Sequence, residues 1–160
     1  MGNPLQGLRM EAVIFCGVQA SGKSSFYREH FFRTHVRVSL DLLRTRHREK
    51  LFLNLCLESG QKFVVDNTNP TRVERAVYIT AAKAKRFAVI GYRFLTESDE
   101  ALIRNAARTG MERVPDVAIR ATLAKFESPA FAEGFDVLRE VTLTAQGFIV
   151  REIPKPEAAV

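Results

Sequence analysis

Apolar residues along the chain gather into short continuous runs separated by longer stretches in which they recur at helical spacing. Glu11 to Cys16 is such a run, rich in strand formers and closed by Gly17. After a Gly/Ser-rich turn the chain resumes at Gly22 with helix-compatible residues. His35 to Ser39 alternates apolar and polar positions like a second strand. Leu42 to Glu58 then carries Leu43, Leu51, Phe52 and Leu55 at helical spacing and stops at Gly60. Phe63 to Val65 is continuous and apolar, as expected of a parallel strand covered on both faces. A helix opening at Asn69-Pro70-Thr71 is predicted to run to Lys85, and a fourth strand to cover Phe87 to Phe94.

Strands separated by helices of about 10 or more residues imply right-handed crossovers, so the predicted class is α/β, with a central parallel sheet of about five strands flanked by helices. Glu100 to Arg108 and Pro115 to Phe126 have helical spacing around a break at Thr109-Gly110, and the segment is dense in arginine. It reads as a helical lid over residues 99–127. Val137 to Thr142 is a fifth strand, and Phe148 to Ile153 a sixth, edge-like piece before a Pro-containing end, residues 154–160, that is expected to fray. With no internal repeat and no linker, residues 1–160 are expected to form one domain.

Length and composition agree with that reading, because 160 residues can bury a core without disulfide or metal staples. The formal charge of +6 and a pI near 9.7 favour an anionic partner, although phosphates of a nucleotide and solubility also draw on basic charge. Cys16 and Cys56 each lie in an apolar run, which suits two buried thiols in a reducing compartment and supports no metal site. No window reaches the roughly 18 apolar residues of a membrane span, and Met1-Gly2-Asn3-Pro4 lacks the features of a secretory signal. A cytoplasmic protein that avoids membranes is expected.

The sharpest motif is Gly17-Val-Gln-Ala-Ser-Gly22-Lys23-Ser24, which fits the phosphate-loop pattern G-x-x-x-x-G-K-[ST] between a predicted strand and a predicted helix. Glycines let the backbone approach phosphates, loop amides and the helix N-terminus supply positive potential, and a lysine at this place bridges β- and γ-oxygens. Gly17, Gln19, Ala20, Ser21, Gly22, Lys23, Ser24 and Ser25 are therefore the candidate ATP cradle, with Ser24 as a Mg2+ ligand.

Ligands of open parallel sheets bind beyond the carboxyl ends of the strands, where Asp41 and Asp66 follow strands two and three. A carboxylate beside the γ-phosphate can take the proton of an attacking hydroxyl, which makes Asp41 the candidate general base. Arg44, three positions on, is expected on the same helix face, placed to clamp a phosphate of the acceptor. Asp66 is a candidate for magnesium or for bracing the phosphate loop, and Asp66 and Asn67 together for contact with the acceptor. A motor ATPase would usually carry a further carboxylate where Asn67 stands.

Asp66-Asn-Thr-Asn-Pro70, Thr71-Arg-Val-Glu-Arg75-Ala-Val-Tyr78 and Phe126-Glu-Ser-Pro129-Ala-Phe-Ala-Glu133-Gly134-Phe135 resemble the kinase domain of the polynucleotide kinase-phosphatases. The likeness runs from the strand before Gly17 to the strand after Gly134. It implies an ATP- and Mg2+-dependent kinase acting on 5′-OH ends of DNA or RNA, with Asp41 matching the general base and Lys23 and Ser24 the phosphate loop. Arg44 matches an acceptor-phosphate arginine of phage and bacterial members, and Arg48 stands where animal members place a functional arginine. Arg104 and Arg108 resemble a pair of lid arginines of which the second contacts ATP phosphates. No D-x-D-x-[TV] phosphatase motif and no ligase-like lysine motif occurs. The basic run Arg44, Arg46, His47, Arg48 and Lys50 is a candidate wall for a nucleic-acid channel. A small-molecule kinase of the same fold and an ATP-binding module without phosphotransfer are the competing readings.

Overall fold

A computed structural model describes residues 9–158, so the reading of Met1 to Pro4 and the last two residues of the predicted tail lie outside the described residues. Six strands, β1 (Glu11–Cys16), β2 (Val36–Val38), β3 (Phe63–Val65), β4 (Ala88–Leu95), β5 (Val137–Thr144) and β6 (Gly147–Ile153), form one sheet in the order β2-β3-β1-β4-β5-β6. The first five pair in parallel, and β6 returns antiparallel to β5 through a tight hairpin. The sixth strand that the sequence marks as edge-like thus sits on the edge.

Side-chain alternation along β1 divides the core. Ala12, Ile14 and Cys16 face the helices α3 (Arg46–Ser59) and α4 (Arg72–Ala84), packing with Leu53, Cys56, Tyr78 and Ile79. Val13 and Phe15 face α1 (Lys23–His30) in an aromatic cluster with Phe26, Tyr27, Phe31, Tyr92 and Phe94. Both cysteines are free and buried. The lid is a helix pair, α5 (Ser98–Ala106) and α6 (Asp116–Lys125), joined across a 3-10 turn at Gly110–Glu112. Ala101 and Ile119 of this pair close on Val18 of the phosphate loop.

One expectation fails. The helix predicted from Leu42 is broken into a single turn, α2 (Leu40–Leu43), and the separate α3. Arg44 ends α2 at φ 71°, in the left-handed region that a non-glycine residue adopts at a cost, and Thr45 restarts the chain as N-cap, accepting the Arg48 amide. Asp41 and Arg44 therefore do not share a helix face, because the backbone reverses its hand between them. Ser39, not Asp41, is the N-cap position of α2.

Candidate active site

β1 delivers the chain into the phosphate loop at the carboxyl edge of the sheet. Gly17 donates its amide to the Thr68 carbonyl at 2.9 Å, which ties the loop to the segment after β3. A Cβ on Gly17 would lie 2.8 Å from the Phe94 Cβ, so only glycine fits this close approach. Ala20 at φ 63° and Gly22 at φ 94° turn the backbone into α1. Gln19 reaches the lid, donating from Nε2 to Thr122 Oγ1 at 3.2 Å, while Ser25 is exposed on the first turn of α1.

Lys23 is buried under this loop. Its ammonium donates to the carbonyls of Gly17 (2.9 Å) and Val18 (2.7 Å) and to Ser21 Oγ (3.4 Å). Burial lowers its pKa from 10.5 to about 8; the Asp66 carboxylate opposes that fall, Arg108 adds to it, and Asp41 opposes it. Asp41, Asp66 and Arg108, taken from three separate stretches of sequence, thus all act electrostatically on one ammonium.

Asp66 is buried and accepts the Ser24 hydroxyl at 2.9 Å. Arg37 of β2 completes the group, donating from Nε to Asp66 Oδ2 at 2.7 Å and from Nη2 to Ser24 Oγ at 2.9 Å. Because the Ser24 proton points at Asp66, the lone pairs of the hydroxyl face away from it. A hydroxyl and a carboxylate side by side are an oxygen donor set that fits magnesium. Sequence reasoning missed Arg37; the signal was a cation in the middle of a strand flanked by valines.

Asn67 is placed differently from its expected role. Its Oδ1 accepts the Leu40 amide at 2.9 Å, and its Nδ2 donates to Glu49 Oε2 at 2.8 Å and to the Tyr78 hydroxyl at 3.3 Å. Glu49 is buried and also binds Tyr78 and Arg46. The Asn67 amide is thus occupied in holding the α2 turn, and with it Asp41, against the body. Arg46 is drawn into the same network by Glu49 and the Tyr78 hydroxyl, so it is no free member of the basic run. Asp41, Arg44, His47, Arg48 and Lys50 are exposed. Arg44 lies 3.8 Å from Met111 Sδ at the tip of the lid.

On the lid, Arg108 donates to the Glu112 carbonyl at 3.3 Å and keeps further donors for other partners. Arg104 leans on Glu100 at 3.6 Å, and its buried Nη1 has no hydrogen-bond partner among the described residues. The buried oxygen of the Gln19 amide likewise has none.

The remaining motif residues are structural. Arg75, wholly buried, donates to both carboxylate oxygens of Glu133, at 2.7 and 3.0 Å, and to the Asn69 carbonyl at 2.9 Å. Asn69 in turn donates to the Phe15 carbonyl at 2.7 Å, two residues before the phosphate loop begins at Gly17.

No family model matches the chain. Two curated relatives match most of it. One is a putative bifunctional polynucleotide phosphatase/kinase of Acanthamoeba polyphaga mimivirus, 26% identical over 141 residues, covering 84% of this chain and 34% of the relative. The other is a bifunctional polynucleotide phosphatase/kinase of Schizosaccharomyces pombe (strain 972 / ATCC 24843), 26% identical over 135 residues, covering 82% and 33%. The chain spans about a third of the length of these relatives. Among solved structures, a gluconokinase from Sinorhizobium meliloti 1021 aligns with a TM-score of 0.58 at 19% identity, over 84% of this chain and 83% of that one. Chaetomium thermophilum Kti12 in complex with ADP-AlF3 aligns with a TM-score of 0.63 at 14% identity, over 82% and 88%. The fold is that of the P-loop kinases, and the family resemblance drawn from the motifs around Asp66, Arg75 and Glu133 is matched by the curated relatives.

Proposed function

We propose that this chain, a P-loop kinase fold similar over most of its length to polynucleotide phosphatase/kinases, transfers the γ-phosphate of ATP to the 5′-hydroxyl end of DNA or RNA. The observation that carries this reading is the cradle at the carboxyl edge of the sheet: Lys23 lies under the Gly17 and Val18 carbonyls, Ser24 pairs with buried Asp66, Gln19 ties the loop to the lid, and Asp41 is exposed on the turn past β2. A general base, a phosphate cradle and a lid cation in one place are what phosphotransfer to a hydroxyl needs. The curated relatives favour a polynucleotide as the acceptor.

In this reading the loop amides and Lys23 hold the β- and γ-phosphates, and the lid arginines Arg108 and Arg104 neutralise charge on the γ-phosphoryl group. Asp41 takes the proton of the 5′-hydroxyl as its oxygen bonds to the γ-phosphorus, while the bond from that phosphorus to the β–γ bridging oxygen breaks and ADP leaves. Arg44 and Arg48 are exposed on the stretch that follows Asp41, and in this reading a phosphate of the acceptor strand pairs with them. Ser24 and Asp66 are the residues that would hold Mg2+, which when bound neutralises the phosphate oxygens.

The test is transfer of labelled γ-phosphate from ATP to a panel of 5′-OH oligonucleotides, nucleosides and sugars. Label at the 5′ end of oligonucleotides is the expected result. Equal labelling of free nucleosides or sugars would replace this reading with a small-molecule kinase, and labelling of no acceptor would leave an ATP-binding module.

A further inference from the structure

Arg37 is a second cation at the phosphate loop beside Lys23, reaching it from β2. Its strand partner in β3 is Val64, two residues before Asp66, so its side chain runs along the α1 face of the sheet toward the carboxylate. There the guanidinium is held on three sides. Nε donates to Asp66 Oδ2 at 2.7 Å, Nη2 donates to Ser24 Oγ at 2.9 Å, and Cζ lies 6.0 Å from the centroid of the Tyr27 ring. Ser24 is thereby used as both donor and acceptor: its proton goes to Asp66 and a lone pair goes to Arg37. Lone pairs of this hydroxyl are also what a divalent ion needs, and a guanidinium and a metal ion so close together repel each other.

We infer that Arg37 is a tethered cation in the magnesium seat: it pairs Ser24 and Asp66 in advance, lets nucleotide bind without metal, and must leave Ser24 before a metal can take that hydroxyl. Arg37 is thus the residue that sets the metal dependence of nucleotide binding. The inference rests on the proposed nucleotide site. If Arg37 were only a brace for Asp66, its removal would loosen the carboxylate and weaken metal binding. If it holds the seat, its removal strengthens the coupling between metal and nucleotide.

Calorimetric titration of ADP into the protein, in EDTA and in saturating Mg2+, separates the two. For the wild type, magnesium should change ADP affinity by less than about threefold, the small coupling of a seat already filled by a cation. Arg37→Gln should bind ADP about tenfold more weakly in EDTA and regain it with magnesium, so that its coupling reaches about tenfold. Wild-type affinity that tightens about threefold or more with magnesium overturns the inference, as does a folded Arg37→Gln protein with unchanged or smaller coupling. Should Arg37→Gln fail to fold, the wild-type pair of titrations decides alone. Absence of ADP binding by the wild type in both conditions removes the nucleotide site itself, and this inference with it.

Discussion

Nucleotide binding should depend on pH through one proton on Lys23. In the free protein that ammonium is buried beneath the phosphate loop and its pKa falls from 10.5 to about 8. A polyphosphate arriving at the loop brings negative charge to the same group and restores its ordinary affinity for the proton. Below about pH 8 the lysine is charged with or without nucleotide, so affinity is flat and highest. Between about 8 and 10.5 the free protein has lost the proton while the complex keeps it; binding then takes up one proton and weakens by up to about tenfold for each pH unit. Raising the group from about 8 back to 10.5 is worth about 3 kcal/mol of binding in all. ADP titrations at pH 7 and pH 9, in buffers of different ionisation enthalpy, measure both the affinity and the proton taken up. The dissociation constant should rise about tenfold over that interval, with uptake approaching one proton at pH 9. Lys23→Met should bind weakly and equally at both values. A wild-type constant that moves less than about twofold, without proton uptake, would refute the reasoning. Folding runs the other way: because the folded-state pKa is the lower one, the contribution of Lys23 to stability of the free protein is absent below about pH 8 and grows as pH rises toward 10.5.

Other substitutions test the remaining parts of the site. Asp41→Asn keeps the shape and removes the basicity; phosphotransfer to a 5′-OH oligonucleotide should fall by about 10² to 10⁴ with ADP affinity and melting temperature unchanged, since Ser39 is the N-cap position of α2. Asn67→Ala strips the Leu40 amide of its partner and should lower stability by about 1–3 kcal/mol, read from denaturant melts, together with a loss of turnover as the α2 turn loosens. Glu133→Gln leaves the buried Arg75 guanidinium without its counter-charge; a cost of about 3–5 kcal/mol, or roughly 10 °C in melting temperature, is expected from calorimetry. Binding of a 5′-OH oligonucleotide should weaken steeply with added salt as phosphate contacts release counterions, measured by fluorescence anisotropy across a salt series.

The strands and the phosphate loop were legible because both rest on local signals: apolar runs such as Glu11 to Cys16, and glycines placed where no side chain fits. The break at Arg44 was not. Helix ends usually announce themselves with glycine or proline, whereas here an arginine takes the left-handed conformation while leucines on both sides maintain a helical spacing. The paired role of Arg37 was hidden for another reason. A polar residue alternating with valines reads as solvent-facing, and only the tertiary approach of β3 to β2 brings Asp66 within its reach. Glu49 shows the same limit, since a carboxylate amid Arg46, His47, Arg48 and Lys50 reads as one charge on a wet helix, whereas it is buried beneath Asn67 and Tyr78. Asn67, next to a site aspartate, reads as a ligand-facing amide, but its donors and acceptor are all met by the fold.

The contact of Val18 with the lid has a consequence for how the protein lets go of what it binds. Val18 belongs to the phosphate loop, yet the side chains that keep it dry, Ala101 and Ile119, belong to α5 and α6. Raising the lid would wet Val18 and release the Gln19 amide from Thr122 in the same movement. Uncovering Val18 alone costs about 2 kcal/mol, so the raised form is the minor one. The floor and the roof of the cradle therefore change state as one unit, and under the proposed function a spent nucleotide would leave only when both part.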